Sequence, residues 1–279
     1  MARLIAFGLS IFVALVALLG TSFLPSVRHV WSYYHDTPHE SGNHELPEPA
    51  KPVARIFLYD PLIIHIADLI TPDERKYLRE LAYDFVPMAY SKFNALTLHF
   101  QTSLPRLKRS SVDLDGAIAE QSRRTNSTAF LPFDDVAIRR IMARVNEFQG
   151  YMEHYRINVQ ITSYQEGQEY RPHFDWYEDD EYHINHFSTI FAILEASCEH
   201  CGTQFPRIKV DWTKRDKKWC EYLDCSQNVL TTKNINSSAL FWRNLDDNLR
   251  GRPDTLHAGL PAKDGSKMGL NIWTEIATS

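Results

Sequence analysis

No run of basic residues stands out anywhere along the chain. The balance of 30 Lys+Arg against 35 Asp+Glu leaves a mild net charge of −5. The electrostatic footprint of a nucleic-acid binder is missing, so binding of nucleic acid is not expected. No internal repeat is apparent. The usual zinc-hydrolase motifs with their general base are also absent, which disfavours a zinc hydrolase. Charge is lacking altogether from Leu4 to Leu24, "LIAFGLSIFVALVALLGTSFL", between Arg3 and Arg28. A helix needs about 20 apolar residues to cross a bilayer, whereas a secretory signal has an apolar region of roughly 7–15. Gly20-Thr21-Ser22 loosely resembles a cleavage site. The expectation is a signal anchor, giving a single-pass protein of the endoplasmic reticulum or another secretory-pathway membrane with its folded part lumenal.

Cysteine is scarce and clustered. Cys198, Cys201, Cys220 and Cys225 are the four in the chain. An even count in a lumenal chain suggests disulfides. C-x-x-C followed by a looser pair is the weaker, zinc-like alternative. Spacing leaves the pairing open. Asn126-Ser127-Thr128 and Asn236-Ser237-Ser238 are glycosylation acceptors if lumenal.

What is present is ample core material, with 44% hydrophobic and 12% aromatic residues. Residues 1–28 are expected as the membrane anchor or signal segment. Residues 29–52, rich in Pro, His, Glu and Ser, read as a linker, and 53–279 as the folded domain. "RIFLYDPLIIHIADLI" suggests strands broken at Asp60-Pro61. In "TPDERKYLRELAYDF", Thr71 caps a helix, Pro72 takes its first position and Glu74 completes a capping box. Tyr77, Leu78, Leu81 and Phe85 then recur at helical spacing. A second helix is predicted from about Asp134 to Tyr155, with an apolar stripe of Val136, Ile141, Val145, Phe148 and Met152. From Ile157 the pattern turns to strands in "INVQITSYQ", "HFSTIFAILEA", "SALFWRNL" and "MGLNIWTEI". Helices first and strands later predict a mainly β sandwich or barrel with N-terminal helices on one side.

The chemistry-bearing stretch is "YRPHFDWYEDDEY", Tyr170 to Tyr182. Residues two apart on a strand share a face, so His173 and Asp175 aim a nitrogen and an oxygen at one point. His257 in "TLHAGLP" is a third candidate. Two histidines and a carboxylate make the facial triad of non-haem Fe(II) oxygenases. A strand carrying His257, a hairpin through Lys263-Asp264-Gly265 and a return strand would bring Lys267 into the same cavity. A buried lysine there needs an anionic partner, such as the far carboxylate of a metal-bound dicarboxylate. Tyr164 is placed to add a hydroxyl. Taken singly, His257 and Lys267 read as loop residues and Tyr164 as core. The acidic run Glu178–Glu181 reads as a solvated loop.

With these residues in view, "SYQEGQEYRPHFDW", "CGTQFPRI", "KWCEYLDC", "ALFWRN" and "TLHAGLPAKDGSKMGLNIWTE" resemble the prolyl 4-hydroxylase family of iron and 2-oxoglutarate dioxygenases, most of all its fungal members. The resemblance runs from Val53 to Glu275. It implies a double-stranded β-helix, or jelly roll, with helices packed on one sheet. It implies Fe(2+) on His173, Asp175 and His257, and 2-oxoglutarate on Lys267 with Tyr164 assisting. O2 would be the second co-substrate and L-ascorbate the reductant. Arg124, Thr125 and Trp273 would lie near the substrate, peptidyl proline or else a small molecule or modified peptide of specialised metabolism. Phe174, Trp176 and Tyr177 would shape the cavity. Two departures from the family stand out. His186 occupies a position where relatives commonly carry arginine, and the glycine-rich turn is shortened to Cys201-Gly202-Thr203.

Overall fold

The computed structural model describes residues 51–83, 85–86, 104–105, 107–109, 125–131, 134–150, 156–178 and 183–277. Leu4–Leu24 therefore lies outside the described residues. Among the described residues no helix is long and apolar enough to cross a membrane. The expected single-pass placement in a secretory membrane, with its N-terminal membrane partner, is corrected on that finding.

Two antiparallel strands, β1 (Val53–Tyr59) and β2 (Leu62–Ala67), open the fold. They are the strands expected in "RIFLYDPLIIHIADLI", broken at Asp60-Pro61, and they precede the first helix. Helix α1 (Pro72–Tyr83) begins with the reciprocal bonds of a capping box. The Glu74 amide donates to Thr71 Oγ1 at 3.1 Å, and the Thr71 amide donates to Glu74 Oε2 at 3.0 Å. Leu78, Leu81 and Ala82 form its buried stripe, while Tyr77 stays 39% exposed. Phe85 is not helical; it falls in a short strand, β3 (Phe85–Val86), which pairs with β4 (Leu104–Pro105). After β5 (Lys108–Arg109) and β6 (Ser127–Phe130) comes helix α2 (Val136–Gln149). Asp135 caps it by accepting from the amides of Ala137 and Ile138. Gly150, at φ 64°, ends it in the left-handed region that glycine enters without strain. The helix thus stops short of the predicted Tyr155, and Met152 lies outside the described residues. Within α2, Ala137, Ile138, Ile141 and Val145 are buried, whereas Val136 points outward at 57% exposure.

The remaining strands are β7 (Arg156–Tyr164), β8 (Tyr170–His173), β9 (Ile184–Ala196), β10 (Thr203–Lys209), β11 (Val229–Thr231), β12 (Ala239–Arg243), β13 (His257–Gly259) and β14 (Lys267–Ala277). They build an eight-stranded antiparallel sheet, β1-β2-β12-β9-β14-β7-β6-β5, and a four-stranded one, β11-β10-β13-β8. Strand alternation assigns each face of the large sheet its own core. Ile190, Ala192, Leu194, Phe241, Leu270 and Ile272 join Leu78, Ile138 and Ile141 of the two helices in one cluster. Phe191, Ile193, Leu240 and Trp242 meet Phe205 and Leu230 of the small sheet in a second. Among the described residues the result is a mainly β protein in which the two larger antiparallel sheets stack and both α-helices cover one face of the eight-stranded one.

The cysteines pair locally, Cys198 with Cys201 and Cys220 with Cys225. Asn126 is fully buried, which leaves no room for a glycan there, while Asn236 is exposed.

Candidate metal and dicarboxylate site

His173 ends β8 and His257 begins β13, and these strands pair with the two histidines directly opposite. Their rings lie 4.3 Å apart between centroids. Asp175 sits in a bend just past β8, not on the strand as expected. The bend still delivers its carboxylate: Asp175 Oδ1 is 3.5 Å from His173 Nε2 and 3.7 Å from His257 Nε2. One ligand atom from each of the three residues lies within 4.8 Å of the others.

The surroundings select which atoms face inward. His173 Nδ1 lies 2.8 Å from the Arg171 carbonyl and His257 Nδ1 lies 3.0 Å from that of Thr255. A carbonyl only accepts, so each Nδ1 carries the proton and each Nε2 keeps its lone pair toward Asp175. A carbonyl bonded to the far ring nitrogen in this way fixes the tautomer and orientation of a metal-binding imidazole. Asp175 Oδ2 accepts from Thr189 Oγ1 at 2.7 Å and from Trp273 Nε1 at 3.1 Å, so Oδ1 is the oxygen presented. Thr189 and Trp273 face each other across β9 and β14, and Asn244 Nδ2 donates to Thr189 Oγ1 at 2.8 Å.

Electrostatics agree with this assignment. Burial pushes the Asp175 carboxyl up, but the imidazoles of His257 and His173 more than reverse it and hold it well below the usual carboxylate range. Burial, followed by the neighbouring His173 ring, lowers His257 to about 4. At neutral pH the pair therefore offers a carboxylate and an unprotonated imidazole, the forms metal binding requires. The donor set, two imidazoles and one carboxylate, suits Fe(II).

Lys267 is 2% exposed. It does not reach the site by a hairpin from His257. β13 belongs to the small sheet, β14 to the large one, and the chain crosses between sheets. In β14, Lys267 stands opposite Tyr164 of β7. Its ammonium lies 4.7 Å from the Tyr164 ring centroid and donates to the carbonyls of Cys201 and, at 2.9 Å, Leu260. Among the described residues no carboxylate pairs with it, and burial alone depresses it to about 7. Gly259, two residues after His257 on β13, keeps the space open. A Cβ there would stand 3.4 Å from Tyr164 Oη and 3.6 Å from Lys267 Nζ. A buried ammonium without an anion, beside a phenol and a gap held by glycine, fits a carboxylate group.

The other expected contacts fare differently. Trp273, half-buried, donates its N–H to Asp175 Oδ2. Arg124 lies outside the described residues. Thr125 is tied to Glu169, whose amide donates to its Oγ1 at 2.9 Å and whose carbonyl accepts from its amide at 3.1 Å. Trp176 covers Gly251, where a Cβ would come within 2.2 Å of the indole, and Phe174 lies 4.6 Å from Trp176. His186 is buried behind Asp175. Its Nδ1 donates to the Asp175 carbonyl at 2.6 Å, its Nε2 is 3.5 Å from Glu275 Oε1, and its ring stacks on Trp273. Thr189, Asn244 and Glu275 went unnoticed in the sequence because Thr189 and Glu275 sit in β9 and β14 and Asn244 directly follows β12, in runs that read as β-forming core. The polar side chains inside those runs were the available signal.

No protein-family model matches the chain. It is 26% identical over 229 residues to "Probable prolyl 4-hydroxylase 10" of Arabidopsis thaliana, covering 79% of this chain and 71% of that one. It is 28% identical over 179 residues to "Probable prolyl 4-hydroxylase 7" of the same plant, covering 61% of this chain but only 55% of the relative. The "Prolyl 4-hydroxylase subunit alpha-1" of Caenorhabditis elegans is 26% identical over 228 residues, 77% of this chain and 33% of that protein. These relatives give no support to a fungal subtype. Among solved structures, the viral collagen prolyl hydroxylase of Paramecium Bursaria Chlorella virus-1, in its 2OG complex, shares the fold. Its TM-score is 0.50 at 21% identity, with 77% of this chain and 96% of that one covered.

Proposed function

We propose that this protein, a 2-oxoglutarate-dependent dioxygenase, hydroxylates proline residues in peptides. In this reading His173, Asp175 and His257 hold Fe(II), and Lys267 with Tyr164 holds the far carboxylate of 2-oxoglutarate. O2 is the second co-substrate and ascorbate the supporting reductant. One observation carries the reading: β13 bears His257 of the ligand cluster and, two residues on, the glycine that opens the space before the Lys267 ammonium. The relatives support the same class of chemistry. The packing of an eight-stranded on a four-stranded antiparallel sheet supports a double-stranded β-helix.

When bound, iron and 2-oxoglutarate together supply oxidative decarboxylation to succinate and CO2, coupled to oxygen insertion into a C–H bond. The chain supplies position and charge. Asp175 Oδ1 and the two Nε2 atoms are aimed before any ligand arrives. The Lys267 ammonium, desolvated and with no carboxylate partner among the described residues, would neutralise the far carboxylate. Trp242 and Phe205 pack against His257 and keep water from that side.

The alternative, the same chemistry on a small molecule or modified peptide, rests on the departures at His186 and in the Cys201-Gly202-Thr203 turn; His186 itself packs against Asp175 and Trp273. The test is a turnover screen of proline-rich peptides and metabolites that measures succinate. Succinate released in step with hydroxyproline supports the reading. Bound 2-oxoglutarate without turnover of any proline peptide counts against it.

A further inference from the structure

We propose that the Cys198–Cys201 disulfide undergoes exchange with external dithiols and that its redox state sets how the Lys267 pocket holds a dicarboxylate. The two cysteines are unequal. Cys198 is partly exposed, whereas Cys201 is 1% exposed. An incoming thiolate therefore reaches Cys198 and leaves Cys201 as the departing sulfur. That sulfur already has a donor, since Asn234 Nδ2 stands 3.1 Å from Cys201 Sγ. His200, exposed between the cysteines, is held by Asp224, its Nδ1 3.0 Å from Asp224 Oδ2.

The link to the pocket is direct. The Cys201 carbonyl accepts from both Lys267 Nζ and, at 3.0 Å, Asn234 Nδ2. The surrounding segment is stitched to the chain that delivers Lys267. Ser197 N donates to the Ser266 carbonyl at 2.9 Å, and Leu260 N donates to the Gly202 carbonyl at 3.0 Å. Gly202 has no slack, because a Cβ there would overlap the Thr232 carbonyl at 1.6 Å. The closed ring thus fixes one of two carbonyls that aim the ammonium.

The exchange balances. A thiolate of the dithiol attacks Cys198 Sγ and forms a mixed disulfide. The Cys198–Cys201 bond breaks, and its electron pair goes to Cys201 Sγ, which takes up a proton. The second thiol of the reductant then displaces Cys198, which is also protonated. The protein gains two electrons and two protons, and the dithiol leaves as its own disulfide.

The experiment uses the full chain, oxidised or treated with dithiothreitol under native conditions. Thiol state is read by differential alkylation and mass spectrometry, and Lys267 reactivity by the rate of amine acylation at that residue. 2-Oxoglutarate affinity is read by calorimetry. Reduction of Cys198–Cys201 in the folded protein is expected to raise Lys267 acylation. It should also weaken 2-oxoglutarate binding by about 5-fold or more, the lower end of ordinary coupling between sites. A Cys220→Ser, Cys225→Ser variant keeps this response, and a Cys198→Ser, Cys201→Ser variant loses it. A disulfide that opens only on unfolding, or a reduced protein with unchanged Lys267 reactivity, overturns the proposal. The coupling to 2-oxoglutarate rests on the reading of Lys267 given above, and the acylation rate separates the two. A redox-dependent rate with no 2-oxoglutarate binding in either state retains the exchange site and sinks the co-substrate reading.

Discussion

Lys267 and Tyr164 stand directly opposite one another on β14 and β7, with the ammonium over the phenol ring and no carboxylate beside it among the described residues. Burial holds Lys267 near 7, against an ordinary 10.5. Between those values the unfolded chain carries a proton that the folded one has lost, so stability of the ligand-free protein rises with pH across that window. A dicarboxylate binds the protonated form. Its affinity is therefore expected to be highest below about pH 7 and to fall as pH rises above it. Calorimetry with a redox-inert divalent metal from pH 6 to 9 checks this. Lys267→Met should remove the trend and weaken binding by about 100-fold, the scale of a lost charged hydrogen bond.

Trp273→Phe and Thr189→Val each remove one donor from Asp175 Oδ2 without touching a proposed ligand. Each is expected to weaken metal binding by roughly 10-fold or more, as losses in the outer shell of metal sites do. Metal titration with circular dichroism separates this outcome from misfolding, which would lose the folded signal as well.

Gly259→Ala places a methyl in ordinary contact with Tyr164 Oη and Lys267 Nζ. The fold and the metal affinity should survive, while 2-oxoglutarate affinity drops by about 10-fold or more, since overfilling a packed site costs about 1–3 kcal/mol. Thermal melts and calorimetry on the same sample read both quantities.

Glu74 is fully buried and its Oε2 lies 2.5 Å from Arg144 Nη2. Among the described residues, Glu74→Ala leaves the guanidinium with its Nε bond to the Leu69 carbonyl at 3.0 Å alone. Breaking such a pair costs about 3–5 kcal/mol, and a melting point lower by on the order of 10 °C is expected.

The legible parts of the sequence were those written in local chemistry. Thr71, Pro72 and Glu74 spell a helix start, and the structure closes that capping box. The β-branched runs of β7, β9, β12 and β14 read as strands and are strands. What local pattern does not encode is which sheet a strand joins. The expected hairpin from His257 to Lys267 is instead a crossover, because β13 pairs with β8 and β10 while β14 pairs with β7 and β9. His173 and Asp175 were read as strand neighbours; the strand ends at His173, and a bend does the aiming. The bonds of Trp273 and His186 to Asp175 depend on partners far away in sequence, and no spacing rule reports those.

The most direct measurement is anaerobic titration of Fe(II) and then 2-oxoglutarate into the full chain and into His257→Ala and Lys267→Met. The account predicts one iron per chain in the unaltered protein and in Lys267→Met, with little or none in His257→Ala. It predicts tight 2-oxoglutarate binding in the unaltered protein alone. Iron bound as well by His257→Ala, or 2-oxoglutarate bound as well by Lys267→Met, would contradict it.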